Sequence, residues 1–563
     1  MSEHDETLDL RLPEDSIGGA DERSGASGER RLADFAVTAR SLRIVLLALV
    51  VGALSAGVAL ALLDLIGLFT HLAYYGRPGR TLVQPSLHRF GAWTVAIPVL
   101  GGLLVGLMAR FGSERIRGHG IPEAMETILI GGSKVEPRLT VLKPISSAIS
   151  IGSGGPFGAE GPIILTGGAV GSVFAQLLHL TAAERRALLV AGACGGMAAV
   201  FGTPVAAVLF GVELLVFEWR PRSLVPIAAS VAVAGTLREE FARHGLVTAA
   251  PLFPVSEHVA LVPSVAAEAV LVGVAGGLLA WLLTVAVYGA EDAFKHVPLH
   301  WSWWPALGGL VVGLGGLVDP RALGVGYGTI ADELAGRLAL GALVLLLVVK
   351  LVIWAAALGS GTSGGILAPL LIMGAAVGGM LGHGFGSAAG SWAVLGMAAT
   401  LAGVTRSPFT SIVFAVELTH EQSLLLPLLI ACASAHMLSV LALRRSILTE
   451  KVARRGFHVT REYVVDPLEA MFVREVMQAG VVPDAVDGVV AYPDEVLRTV
   501  ATRMAEHRVD TLPVVARGDG EVVGTVTVFD LLAARRRQLL EDRHRERPLP
   551  LLPLLRRSVL SRR

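Results

Sequence analysis

The 563-residue chain is 53% hydrophobic and 17% charged, against about 25% charged residues in soluble domains, and its mean hydropathy is +0.64. Such a composition belongs to an integral membrane protein. Its 47 basic and 47 acidic residues cancel, which argues against nucleic acid as a partner. The two cysteines, Cys194 and Cys432, lie in apolar helical stretches, where they read as packing residues and imply no disulfide framework.

In chain order, residues 1–39 are polar and charge-rich, with no apolar signal segment near the start, and read as a disordered cytoplasmic tail. Apolar stretches then fill residues 44–443, among them Ile44–Thr70, Trp93–Ala109, Ala187–Phe217, Leu338–Leu358 and Leu424–Leu443. At about 20 residues per crossing they hold roughly ten or more helices, many broken by Gly and Pro. The 66 glycines suit close helix packing and interrupted helices. Arg40 and Arg43 precede the first span, and Arg444, Arg445, Lys451, Arg454 and Arg455 follow the last. The positive-inside rule puts both ends in the cytoplasm.

The apolar region repeats itself. Gly152-Ser-Gly-Gly-Pro-Phe-Gly-Ala-Glu160-Gly-Pro162 returns 207 residues later as Gly359-Ser-Gly-Thr-Ser-Gly-Gly-Ile-Leu367-Ala-Pro369, with Leu367 in the place of Glu160. The segment around Pro204, Phe210 and Glu213 returns 204 residues later around Pro408, Phe414 and Glu417. Two matches in the same order indicate a duplication, with halves at 40–246 and 261–445 and a linker at 247–260. Transporters built this way hold substrate near midplane, on the ends of broken helices. The match alone leaves inverted and parallel repeats both open.

A charge at membrane depth is costly and marks an ion or substrate path, which singles out Glu160. Glycine runs entering apolar helices expose backbone N–H groups at the positive end of the helix dipole. Two such segments converging at midplane make an anion site that carries no full positive charge. The Glu160 carboxylate can itself occupy that site, and protonation would free it. A carboxylate merely capping a helix at an aqueous vestibule is the blander reading. Glu213 and Glu417, at matched places, read as capping or pairing residues.

Gly158-Ala-Glu160-Gly-Pro162, Gly118-His-Gly-Ile-Pro-Glu123 and Gly364-Gly-Ile-Leu-Ala-Pro369 together resemble the three signature segments of the CLC family of chloride channels and chloride/proton exchangers. The resemblance covers roughly residues 40–455. It implies an all-α polytopic membrane fold, an inverted repeat of broken, tilted helices, and a homodimer with one anion pathway per subunit. Glu160 would be the gating and proton-coupling glutamate. The anion would be bound around Gly158, Ala159, Gly161, His119, Gly120, Gly365, Ile366 and Leu367, with the N–H groups of Ile366 and Leu367 at its centre. Lys143 would make the pore potential positive. No metal is implied, and no catalytic residue.

Four departures accompany the resemblance. Ala159 replaces an arginine, His119 a serine, and Leu448 a tyrosine, so both usual side-chain donors to the anion are gone. His119 can donate N–H to an anion or carry charge at low pH; equally, it can turn toward water at the inner vestibule. Leu214 stands where exchangers often carry an internal proton-accepting glutamate. Glu218, one helical turn on, can substitute as acceptor, or it pairs with Arg220 or Arg222 at the membrane surface.

After a linker at 446–488 the composition becomes that of a soluble domain, 489–540. A strand at Val489–Glu495, a helix at Glu495–His507, strands at Thr511–Val515 and Val522–Val528, and a helix from Phe529 resemble a single, small α/β CBS motif. That resemblance implies an adenine nucleotide held by Thr527 and Asp530, or else a purely structural dimerisation module. A basic flexible tail follows at 541–563. The chain is thus read as a channel or chloride/proton antiporter of a bacterial plasma membrane, for chloride or for nitrate, bicarbonate or fluoride. A CBS-regulated cation transporter would need clustered intramembrane carboxylates, and those here are chiefly isolated; a membrane enzyme would need a motif such as His-Glu-x-x-His, and none supports that reading.

Overall fold

The computed structural model describes residues 39–85, 91–129, 132–178, 180–255, 263–386, 389–456, 468, 471–480, 489–518 and 520–543. Most of the expected N-terminal tail, residues 256–260 of the expected inter-repeat linker, much of the second linker and residues 544–563 lie outside this set. The chain divides into two units, Met1–Thr460 and Arg461–Arg563.

The first half of the first unit comprises α1 (Ala39–Thr70), α2 (Ala96–Phe111), α3 (Ile121–Leu129), α4 (Leu139–Gly152), α5 (Glu160–Gln176), α6 (Ala182–Phe201), α7 (Pro204–Phe210) and α8 (Pro221–Arg243). The second half runs α9 (Pro263–Lys295), α10 (Trp304–Val318), α11 (Tyr327–Leu334), α12 (Leu340–Gly359), α13 (Leu367–Phe385), α14 (Ala389–Thr405), α15 (Pro408–Thr419) and α16 (Leu425–Ala442). Each helix has a counterpart in the other half, in the same order. Among the described residues, seven helices are long and apolar enough to cross a membrane. The other apolar stretches are cut into shorter pieces.

The stretch Ala187–Phe217 shows how the cutting is done. Gly202, at φ +70°, ends α6 in a left-handed conformation that a side chain disfavours. Pro204 then opens α7 at its first position, where a missing N–H does no harm. Gly211–Val216 continues as a π-helical turn.

Glu213 and Glu417 tie the halves together reciprocally. Glu213, following α7, accepts from the Thr410 N–H at 2.7 Å and its hydroxyl at 2.6 Å, at the start of α15. Glu417, within α15, accepts from the N–H groups of Val205 and Ala206 at 3.0 and 2.8 Å, at the start of α7. Each helix opens with proline and has no side-chain cap of its own, so its orphan N–H groups face the carboxylate of the opposite half. The capping reading of these glutamates therefore holds.

One apolar cluster runs through both halves and includes Ile447 and Leu448 of α17 (Ile447–Arg454). The segment after residue 446 thus begins as a packed helix before any linker.

The second unit has its own core around Val473, Val500, Leu512 and Val526. Strands β1 (Gln478–Ala479), β2 (Thr511–Val515) and β3 (Val522–Thr527) form an antiparallel sheet in the order β1-β3-β2, with α18 (Leu497–His507) and α19 (Val528–Arg543). Val489–Glu495 is not a strand, contrary to the sequence expectation. Only Ala491 pairs there, in a single bridge to Val514, and Pro493 has no N–H with which to extend it. The third strand is instead β1, upstream of residue 489, whose two residues are too short to show a period.

Glu213→Ala and Glu417→Ala should each lower stability by about 1–3 kcal/mol, since each leaves a helix start without its acceptor. Thermal unfolding in detergent would register the loss; an unchanged midpoint in both variants would mean that water satisfies these helix starts.

Candidate functional site

The two glycine-rich segments meet face to face. Gly158 N–H donates to Gly365 O at 3.2 Å, and Gly365 N–H to Gly158 O at 3.0 Å, as an isolated antiparallel pair. These residues are repeat-mates, 207 apart, so a two-fold rotation axis between the halves passes through this pair. A Cβ on Gly365 would sit 2.6 Å from Gly158 O and 3.0 Å from Glu160 Oε2, and one on Gly158 would collide with the same carboxylate. Gly120 and Gly161 abut backbone to backbone in the same crossing. Only glycine allows three segments to come this close.

Glu160 is the first residue of α5 and is fully buried, with Ala159 before it. Its Oε1 accepts from the Tyr327 hydroxyl at 3.3 Å, and the backbone N–H of Ala368 faces the carboxylate. Ala368 lies in the first turn of α13, which Ile366 and Leu367 open. The carboxylate of one half thus occupies the N-terminus of the matched helix in the other half, where orphan N–H groups and the helix dipole favour a negative charge. The Tyr327 ring is in turn flanked by Phe201 and Phe253, at centroid distances of 6.3 and 5.8 Å.

On the other side of the crossing lies the Gly118–Gly120 loop. Gly118 N–H donates to Thr362 O at 3.0 Å, and Glu123 accepts from Gly120 N–H at 2.8 Å. Lys143, wholly buried on α4, donates to Ile116 O and Gly118 O, both at 2.8 Å. His119 is 2% exposed, and its Nδ1 has no hydrogen-bond partner. Lys143 and Lys451 both lie within its electrostatic reach, as does Glu123. The loop is fastened to α17 by Lys451, 3.3 Å from Glu123.

Leu214 and Leu448 are completely buried and offer no polar atom. Glu218 is engaged elsewhere: the Ser223 hydroxyl donates to it, and Arg222 and Arg220 lie 3.3 and 3.8 Å away. In the second unit Thr527 and Asp530 join each other rather than an open cleft. Asp530 N–H donates to Thr527 Oγ1 at 3.2 Å, while Asp530 Oδ2 accepts from Thr527 N–H and hydroxyl at 2.8 and 2.7 Å. This is a capping box at the start of α19. Partial burial raises the Asp530 pKa, but hydrogen bonds from Thr527 and Gln478 outweigh it and leave the carboxyl below its ordinary range.

The model for voltage gated chloride channels matches residues 101–440, and the CBS domain model matches residues 473–537. The chain belongs to the CLC family. Among its CLC relatives, a putative ClcB-like chloride channel protein of Ralstonia nicotianae is 30% identical over 61% of this chain and 81% of its own length. A H(+)/Cl(−) exchange transporter ClcA of Salmonella arizonae is 30% identical over 71% of this chain and 85% of its own. The fold is shared with a slow cyanobacterial Cl−/H+ antiporter (21% identity, TM-score 0.64, 75% of this chain and 99% of that one). It is shared too with a CLC-type fluoride/proton antiporter (21% identity, TM-score 0.61, 72% and 97%).

Sequence reasoning missed Tyr327 and Lys350. Lys350 lies 207 residues after Lys143 and is the one charge in the run Leu338–Leu358, so the repeat offset would have found it. Tyr327 has no such signal: its role depends on where α11 packs.

Gly365→Ala should push the two segments apart and lower stability by about 1–3 kcal/mol, with anion flux lost even in correctly folded protein; normal flux would separate the crossing from the transport path. Thr527→Ala should weaken the start of α19 by about 1 kcal/mol. The Asp530 contribution is present above its unfolded pKa near 3.8 and fades as pH falls through the lowered folded value. Thermal unfolding at neutral and acid pH measures both.

Proposed function

We propose that the protein carries chloride, or a similar small monovalent anion, across a cell membrane, with Glu160 as gate and carrier of the coupled proton. The observation that carries this reading is the Glu160 carboxylate standing at the N-terminus of α13, in a place built for an anion. An arriving anion competes with that carboxylate for the N–H groups of the crossing. A proton on Glu160 removes its charge, weakens its hold and lets it leave the path. Tyr327 steadies the closed position through its hydroxyl, and Lys143 supports anion entry from the Gly118–Gly120 side.

With Leu448 in place of a tyrosine, His119 becomes the side-chain donor of that loop. Full burial, aided by the cations Lys451 and Lys143 and opposed by Glu123, disfavours a positive charge on His119, which then works as a neutral N–H donor. The names of the relatives support chloride/proton exchange. A second reading, loosely coupled or passive conduction, is favoured by buried Leu214 and by Glu218 being held among Ser223, Arg222 and Arg220.

The protein acts as a homodimer in a plasma membrane, with both ends in the cytoplasm. A single CBS motif needs a second, and residues of α18 and α19, among them Ala501, Met504, Leu531 and Leu532, line an open, largely apolar hollow of about 780 Å³ suited to it. The mutual capping of Thr527 and Asp530 supports the dimerisation reading over an adenine nucleotide.

Purified protein in liposomes, with anion efflux and pH recorded together, decides between the two readings: chloride efflux without proton movement under opposing gradients would end the exchanger reading. Glu160→Gln should abolish proton coupling and the pH dependence of flux while anion binding survives, and a retained pH dependence would remove Glu160 from the gate. His119→Ser should change the order of anion preference, which competition among chloride, nitrate and fluoride in the same assay measures.

A further inference from the structure

Four buried polar atoms at the turns after α6 and α14 have no hydrogen-bond partner among the described residues. They are Arg238 Nε and Thr203 Oγ1 in the first half, and Arg406 Nε and Ser407 Oγ in the second. Thr203 and Ser407 are repeat-mates, 204 apart, each the residue before the proline that opens α7 or α15. A hydroxyl at that position normally caps its own helix. Here the glutamate of the opposite half has taken the N–H groups. Both hydroxyls are left over, Thr203 wholly buried and Ser407 2% exposed.

Each turn also has a guanidinium, supplied in two different ways. In the first half the turn residue is Gly202, at φ +70°, and a Cβ there would lie 3.0 Å from Nε of Arg238, which reaches in from α8. In the second half the turn residue is Arg406 itself, at φ +58°, a left-handed conformation that a side chain makes costly and that its mate fills with glycine. An arginine kept in a glycine's place points to a use for its side chain. Arg238, 1% exposed, donates through Nη1 and Nη2 to Thr248 O, both at 3.0 Å. Arg406 donates through Nη2 to Ser439 O and Leu443 O at the end of α16, the counterpart of α8. Neither forms an ion pair with a carboxylate among the described residues. Glu239, next to Arg238 in the chain, is exposed, and Glu417 at the start of α7 has His420 as its charged neighbour.

All four orphan atoms carry a hydrogen to donate, so what the turns lack is an acceptor. A buried cation without a counter-charge is costly, and each unmade hydrogen bond adds to the cost. A water would accept both bonds but leave the positive charge uncompensated; a small anion answers both needs. We propose that the turns after α6 and α14 each hold a small monovalent anion of the chloride type, between the arginine Nε–H and the neighbouring hydroxyl. These two sites are separate from the crossing and do not depend on what passes through it. The first steadies the turn that follows Phe201, whose ring packs on Phe414 of α15 at 4.9 Å and flanks Tyr327.

Crystals of the whole protein grown in bromide, with anomalous scattering recorded at the bromine edge, locate the ions directly. A peak should touch the arginine Nε and the hydroxyl at each turn, and Arg406→Gly should lose the peak at its own turn while keeping the one at Gly202. Water without bromide at both turns overturns the proposal. In solution, the thermal midpoint of the purified protein should rise when chloride replaces gluconate at constant ionic strength. Arg406→Gly also relieves the left-handed turn, so without chloride it should be at least as stable as the unaltered protein. It should nevertheless lose about a third to a half of the gain from chloride, and the Arg406→Gly, Arg238→Met double variant should lose most of it, because independent sites contribute additively. A chloride response that is the same in Arg406→Gly, Arg238→Met and Thr203→Val as in the unaltered protein would place the whole effect at the crossing and remove the turn sites.

Discussion

Everything at the centre of this molecule depends on the backbone pair between Gly158 and Gly365. Two hydrogen bonds, of 3.2 and 3.0 Å, join residues that are each other's repeat-mates. The pair fixes the axis of the duplication. It also brings the N-termini of α5 and α13 together at one point, and two helix N-termini facing each other repel unless something negative lies between them. The Glu160 carboxylate supplies that charge in the arrangement seen, and a bound anion would supply it equally well. The need for a negative charge at the crossing is thus a property of the fold, met by whichever anion is present.

The same economy recurs away from the axis. Helices α7 and α15 both begin with proline and lack local caps, and each takes its cap from the glutamate of the opposite half. Loops before α3 and α11 are each clasped by a buried lysine that donates to two carbonyls. Neither half could satisfy its own polar groups in a bilayer, where water is absent and an unmet N–H is costly. Coupling between the halves is therefore a condition of stability.

Much of this was legible in the sequence, because a duplication writes each constraint twice. The glycine segments at offset 207 and the Pro–Glu segments at offset 204 mark the crossing and the reciprocal caps, and Glu160 stands out as a carboxylate among apolar residues. The lysine pair obeyed the same offset but drew attention only at Lys143, since a lone lysine in an apolar run says nothing about its partner. Tyr327 was not legible. Its place beside Glu160 arises from how the eight-residue helix α11 packs, and so short a helix carries no pattern that points across the fold. In the CBS unit, alternation suggested a strand at 489–495, where a single bridge at Ala491 is followed by a turn at Pro493–Asp494.

The departures from the family pattern acquire a common sense in this frame. Ala159, Leu448 and Leu214 each stand where the family pattern has a polar or charged side chain, and all three are fully buried in the apolar cluster. What remains for the anion is backbone N–H, one imidazole at His119, and two lysines whose ammonium groups are already bound to carbonyls. For the proposed anion such a set offers attraction without a grip, since Lys143 and Lys350 both already donate to backbone carbonyls. A site of this kind discriminates weakly by charge and more by how well an anion replaces its water with N–H groups. In the proposed mechanism Glu160 supplies the control that the binding groups do not, and the Tyr327 hydroxyl holds it in place.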